Sequence, residues 1–123
     1  MCLCTNTIQI AVAEGICNIH NSFYESLKKQ FQSLRDDLCE TLISVGLKPI
    51  IPQGSYYILA DASKLEAKTS KEKAMFILNK TGVATVPGSA FYKNEIGEKY
   101  VRFCFSVEDH IIHKACSRIK RLF

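Results

Sequence analysis

A chain of 123 residues, 47% apolar and 23% charged, is long enough to bury one core and too apolar to remain disordered. Its formal charge of +4 is mild, which argues against a protein built to hold phosphate backbones, where a stronger, clustered basic excess is the rule. One soluble domain over residues 1–123 is the expectation.

The first twenty residues, MCLCTNTIQIAVAEGICNIH, are apolar but carry Glu14 and lack a basic leader, so no signal peptide is expected. The Met-Cys start does not match a myristoylation signal. No uncharged run approaches the roughly eighteen residues of a membrane span. A cytoplasmic protein with no membrane partner is therefore expected.

A short helix is predicted around Ile8 to Ile19, with Glu14 and His20 as polar interruptions. A long amphipathic helix follows from Asn21 toward Gly46, because Phe23, Leu27, Phe31, Leu34, Leu38, Leu42 and Val45 recur every three or four residues. Ser22 with Glu25 reads as its capping box, and Gly46 as its left-handed stop before Pro49. Leu47 to Ile51 and Ser55 to Ala60 flank the turn signal Pro52-Gln53-Gly54, which predicts a hairpin. Thr69 and Glu72 form a second capping box, opening a helix to Lys80 that Gly82 ends.

Val83 to Val86 reads as a short strand, Pro87-Gly88-Ser89-Ala90 as a loop, and Lys93 to Glu98 as a polar turn. The stretch KYVRFCFS then puts Val101, Phe103 and Phe105 on one face and Tyr100, Arg102 and Cys104 on the other. Ser106 and Asp109 open a last helix whose buried stripe is Ile111, Ile112, Ala115, Ile119 and Leu122. Two helices, a hairpin, a helix, two strands and a helix make an α+β domain: a small, mostly antiparallel sheet with helices on one face.

The six cysteines do not require a disulfide framework in a chain with this much core signal. Reduced thiols are expected, with Cys39 and Cys104 acting as small hydrophobes. Cys17 and His20, and then His110, His113 and Cys116, stand three apart. A third ligand at i+6 has drifted around its helix, so surface histidines and core cysteines are the better reading than a metal site. Cys2-x-Cys4 lacks the two-residue gap of a zinc knuckle. Lys114, Arg118, Lys120 and Arg121 complement the dipole of the last helix, which accounts for them without nucleic acid. No nucleophile elbow, phosphate loop or dinucleotide fingerprint is present.

Two segments combine glycine, small residues and aromatics: Pro52 to Tyr57, and Val86 to Tyr92. Tight turns with core anchors explain them, and so would the walls of a pocket approached closely at glycine. On physics alone Arg102 is an exposed strand cation more often than a ligand clamp.

Read in order, the residues resemble a known family. Phe23-Tyr24, Arg35-Asp36, Gly46-Leu47-Lys48-Pro49 and the run from Pro52 to Asp61 are followed by Gly82 to Tyr92 and Val101 to Ser106. The series is similar to the C-terminal part of fold-type I, pyridoxal-phosphate-dependent aminotransferases of class I/II, of the kynurenine and methionine aminotransferase-like branch. It covers nearly the whole chain, from about Thr5 to Leu122. The resemblance implies that Arg102 binds the α-carboxylate of an amino-acid substrate or its 2-keto acid, with Tyr56, Tyr57, Ser89 and Phe91 bordering the substrate side. It implies pyridoxal phosphate in the complete enzyme, held by a large domain with no counterpart in this sequence, and a homodimer assembled mainly through that domain. The chain alone is expected to bind no cofactor and not to transaminate. A free-standing interaction or structural module is the alternative, and a metal-dependent or thiol enzyme ranks last.

Overall fold

The computed structural model describes residues 6–123, so the Cys2-x-Cys4 pair lies outside the described residues. The chain divides into two compact units, one ending at Gln30 and one running Phe31–Phe123. In the first, helix α1 (Asn6–Asn18) has no buried residue, and Ile8, Ile10, Val12 and Ile16 are all more than half exposed.

Helix α2 runs Asn21–Ser44. At its start the Ser22 hydroxyl lies 2.9 Å from His20 Nδ1, which also accepts the Ser22 amide at 3.2 Å. Histidine, rather than the expected Ser22–Glu25 pair, thus supplies the acceptor. The predicted stripe is buried only in its second half. Leu34, Leu38, Leu42 and Val45 enter the core and Phe31 packs against it, whereas Phe23 and Leu27 are exposed. The helix ends as the sequence requires. Gly46 takes φ +79°, its amide donates to Ile43 O at 2.8 Å, and the Leu47 amide donates to Leu42 O at 3.0 Å. This is the paired-bond stop that favours glycine.

The sheet has four antiparallel strands in the order β1-β2-β4-β3. Strands β1 (Lys48–Ile50) and β2 (Tyr57–Asp61) form the expected hairpin, with Pro49 opposite Ala60. Strand β4 (Tyr100–Cys104) is central, and β3 at the far edge holds only Val86–Pro87. The predicted strand over Val83 to Val86 is therefore corrected, since pairing begins at Val86, opposite Arg102.

Alternation sorts the two faces as predicted. Ile58, Ala60, Val101 and Phe103 are buried, and Phe105 continues that side. Against them pack Leu38 and Leu42 of α2, Ala74 and Ile77 of α3 (Ser70–Thr81), and Ile112 and Ile119 of α4 (Asp109–Ile119). The last helix is corrected in two respects. Its N-cap is Glu108 without a side-chain hydrogen bond, and its buried stripe is Ile112, Cys116 and Ile119, with Ile111 exposed and Ala115 half-buried. Cys39 is buried as expected, whereas Cys104 is exposed. None of the described helices is long and apolar enough to cross a membrane.

Candidate functional site

The sheet face turned away from the helices carries the row Ile50, Leu59, Arg102 and Val86, aligned by register across all four strands. Arg102 sits half-buried in the middle of that row. A cavity of about 310 Å³ opens beside it, lined by Ile50, Pro52, Ser55, Tyr57, Leu59, Phe91 and Arg102. Its wall is almost entirely apolar, with the guanidinium as its one charged group.

Local structure delivers each partner. The carbonyl of Pro52 accepts from Arg35 Nη1 of α2 at 3.1 Å, which pins the hairpin turn to the helix. Arg35 is in turn paired with Asp36 at 2.7 Å. Within that turn Ser55 takes φ +149°, rarely adopted by a side-chain-bearing residue, and its hydroxyl accepts the Tyr57 amide at 3.1 Å. Strand pairing sets Tyr57 opposite Cys104, one step along the same face from Arg102. The Tyr57 ring lies over the guanidinium, with Cζ 4.0 Å from its centroid.

Phe91 also reaches Arg102, from the end of a 3-10 turn at Gly88–Ala90, its centroid 4.3 Å from Cζ. That turn is tied down from α3. The Ser70 hydroxyl bridges to Ser89, donating to its hydroxyl at 2.9 Å and accepting its amide at 3.2 Å. The Ser70 amide donates to the Glu98 carboxylate, and Lys73 Nζ donates to Glu98 O at 2.9 Å.

Among the described residues no carboxylate lies within ion-pair distance of Arg102. A hydrogen bond involving Tyr56 is the main influence raising the Tyr57 phenol above its ordinary range; burial adds to it and Arg102 opposes it. Tyr57 thus meets the guanidinium as a neutral ring. The arrangement is a guanidinium in contact with two aromatic rings at an apolar cavity, suited to a planar anion carrying an apolar group.

The structure thus brings Arg102, Tyr57 and Phe91 together. Tyr56 lies against Tyr57 with the rings tilted by 49° and centroids 4.4 Å apart, and is itself exposed. Ser89 is engaged with Ser70 and lines no part of the cavity. Pro52 and Ser55 fall in the segment from Pro52 to Tyr57 read as a candidate pocket wall, whereas Ile50 and Leu59 were not singled out from the sequence. Strand alternation with the correct register would have found Ile50 and Leu59, but register is not visible in a single chain.

Elsewhere, α2 and α4 enclose a polar groove where His113 Nε2 lies 3.6 Å from Asp37 Oδ2 and the Cys116 thiol points to Asp37 O at 3.9 Å. Among the described residues no three His, Cys, Asp or Glu side chains are placed to share a metal ion. Burial pushes the Cys39 thiol up, with Arg35 opposing, which makes it a poor nucleophile.

Comparison with known proteins matches residues 1–119 to the family described as aminotransferase class I and II. The chain is 33% identical to kynurenine–oxoglutarate transaminase of Dictyostelium discoideum, over 92% of this chain and 30% of that protein. It is 36% identical to human kynurenine–oxoglutarate transaminase 3, over 80% of this chain and 24% of that one. Among solved structures, N-succinyldiaminopimelate aminotransferase from Mycobacterium tuberculosis superposes with TM-score 0.82 at 28% identity, over 94% of this chain and 30% of its own. A Thermus thermophilus aspartate aminotransferase variant complexed with tryptophan gives 0.78 at 30% identity, over 92% and 28%. The chain thus spans less than a third of the length of these relatives. By sequence and by fold, it belongs to the class I and II aminotransferase family.

Proposed function

We propose that this chain is the C-terminal, substrate-carboxylate-binding domain of a pyridoxal-phosphate-dependent amino-acid aminotransferase. In the complete enzyme an amino group passes from an amino acid to a 2-keto acid. The observation that carries the reading is Arg102: a half-buried guanidinium at an apolar cavity, with no carboxylate partner among the described residues. Such a group binds a carboxylate through two parallel N–H bonds, fixing the acid's orientation as well as its charge. The apolar wall of Ile50, Pro52 and Leu59 would strengthen that contact once the complete enzyme closes water out.

The lining residues include no lysine amine and no carboxylate. They therefore do not fit pyridoxal phosphate, whose amine and pyridine partners would come from a large domain on the same or a separate polypeptide. The exposed apolar side chains of α1 suit packing against such a body. A cytoplasmic homodimer completes the proposal.

The test is transamination by the native polypeptide carrying this sequence, after its mass is measured in source cells. A chain of about 300–400 residues fits a two-domain enzyme. Arg102→Gln should then raise KM for the amino donor about 10- to 100-fold, the loss expected for one charge-assisted hydrogen bond. Unchanged kcat/KM in that variant would sink the reading. The exposed α1 surface also fits a free-standing interaction module. A native chain of these same 123 residues that self-associates, and gains no activity with any large-domain protein, would establish that alternative.

A further inference from the structure

Arg102 touches two rings on separate elements, with centroids 4.0 Å and 4.3 Å from Cζ. We propose that Tyr57 and Phe91 are positioning residues: they fix the plane of the Arg102 guanidinium so that its N–H edge already faces the cavity before any acid arrives. The inference rests on the carboxylate-clamp reading above and adds to it the device that orients the clamp.

An arginine side chain has several rotatable bonds and swings freely unless something stops it. Carboxylates commonly do so by pairing with the edge, but here none is within reach among the described residues. Such a pair would also occupy the donors a substrate needs. Rings act differently. A ring stacked on a guanidinium covers a face and leaves the five in-plane donors free, so stacking and edge binding do not compete.

Core burial does not account for the arrangement. Phe91 remains 47% exposed, so a large ring is kept half in water against a cation. Its backbone is nevertheless firmly placed. Ser89 is bonded twice to Ser70, and Gly88 lies where any side chain would strike the Tyr100 backbone, one of its nearest atoms standing 2.8 Å from a Cβ. Tyr57 is set by the β2–β4 ladder and braced by Tyr56. The two rings are thus fixed independently, one by the sheet and one by the turn.

The experiment is NMR on the isotope-labelled 123-residue chain, following the arginine Nε–Hε groups and titrating with propionate and 3-phenylpropionate. The Arg102 Hε should lie upfield of those of Arg35, Arg118 and Arg121, with slowed rotation about its Nε–Cζ bond. Tyr57→Leu and Phe91→Leu should each lose part of that shift and weaken propionate binding about three- to fivefold. Tyr57→Phe, which keeps the ring, should restore both.

Propionate has no ring to contact Tyr57 or Phe91, so a loss confined to 3-phenylpropionate would make them mere pocket wall and overturn the proposal. A freely rotating, unshifted Arg102 in the wild-type chain would overturn it without any variant, even if the leucine variants fail to fold. If Arg102→Gln abolishes propionate binding while both leucine variants keep it, the clamp stands and the positioning role falls. If Arg102→Gln leaves binding intact, the clamp reading falls first.

Discussion

Gly88 shows how one residue decides the shape of the site. A Cβ built there would overlap Gly97 O and come within 2.8 Å of Tyr100 O, both of them backbone atoms that cannot swing aside. Gly88→Ala should therefore destabilise the fold by about 1–3 kcal/mol, the usual range for overpacking. Gly54→Ala, whose Cβ would meet nothing within 4 Å, should stay within about 0.5 kcal/mol of wild type. Urea unfolding of the two variants checks the contrast, and similar midpoints would refute it. The sequence marked Gly88 for close backbone approach, and the approach is real, but it is to the chain's own second 3-10 turn (Glu95–Lys99) and β4. Arg102 was legible because alternation singles out a cation between buried neighbours. Its contact with the Phe91 ring was not, because it depends on how a turn folds back across ten residues of intervening sequence.

Helices read more faithfully than strands at the level of elements. The capping box on α3 forms as written, with the Glu72 amide donating to Thr69 Oγ1 at 3.2 Å and Glu72 Oε2 accepting the Thr69 amide at 3.2 Å. Thr69→Ala should cost about 1 kcal/mol of stability in thermal or chemical unfolding. Hydrogen bonds from the Thr69 backbone, then from that of Lys68, hold the Glu72 carboxyl below its ordinary range despite some desolvation. A depressed carboxyl contributes stability above its unfolded value, about 4.3, and loses it as pH falls through the lower folded value. The stability gap between wild type and Glu72→Gln should therefore be full at pH 6 and shrink as the solution is acidified below about pH 4. A gap that grows on acidification would contradict this assignment. Strand β3 was misplaced because its extent depends on a partner, and on that side β4 pairs only with Val86 and Pro87. The exposed first half of α2 fails for a related reason: periodicity marks a face as apolar but does not say what covers it.

For the molecule as a whole, every buried core side chain among the described residues lies between Leu34 and Leu122. Residues 6–30 contribute none of them. Segments with little buried surface open first, so limited trypsin digestion should cut at Lys28 or Lys29 before Lys71, Lys73 or Lys80 in α3. Mass spectrometry of the earliest fragments decides it, and first cuts within α3 would count against this ordering. The α+β class was legible because eight elements announce themselves by period and turn chemistry, whereas the division near Gln30 leaves no mark in an unbroken helical pattern. The sheet's two outer strands have a further consequence. Each is very short and each carries a proline, Pro49 in β1 and Pro87 in β3, which has no N–H to offer an incoming strand. Both margins of the sheet are thereby poor templates, so chains crowded together at high concentration are discouraged from growing strand by strand into fibres.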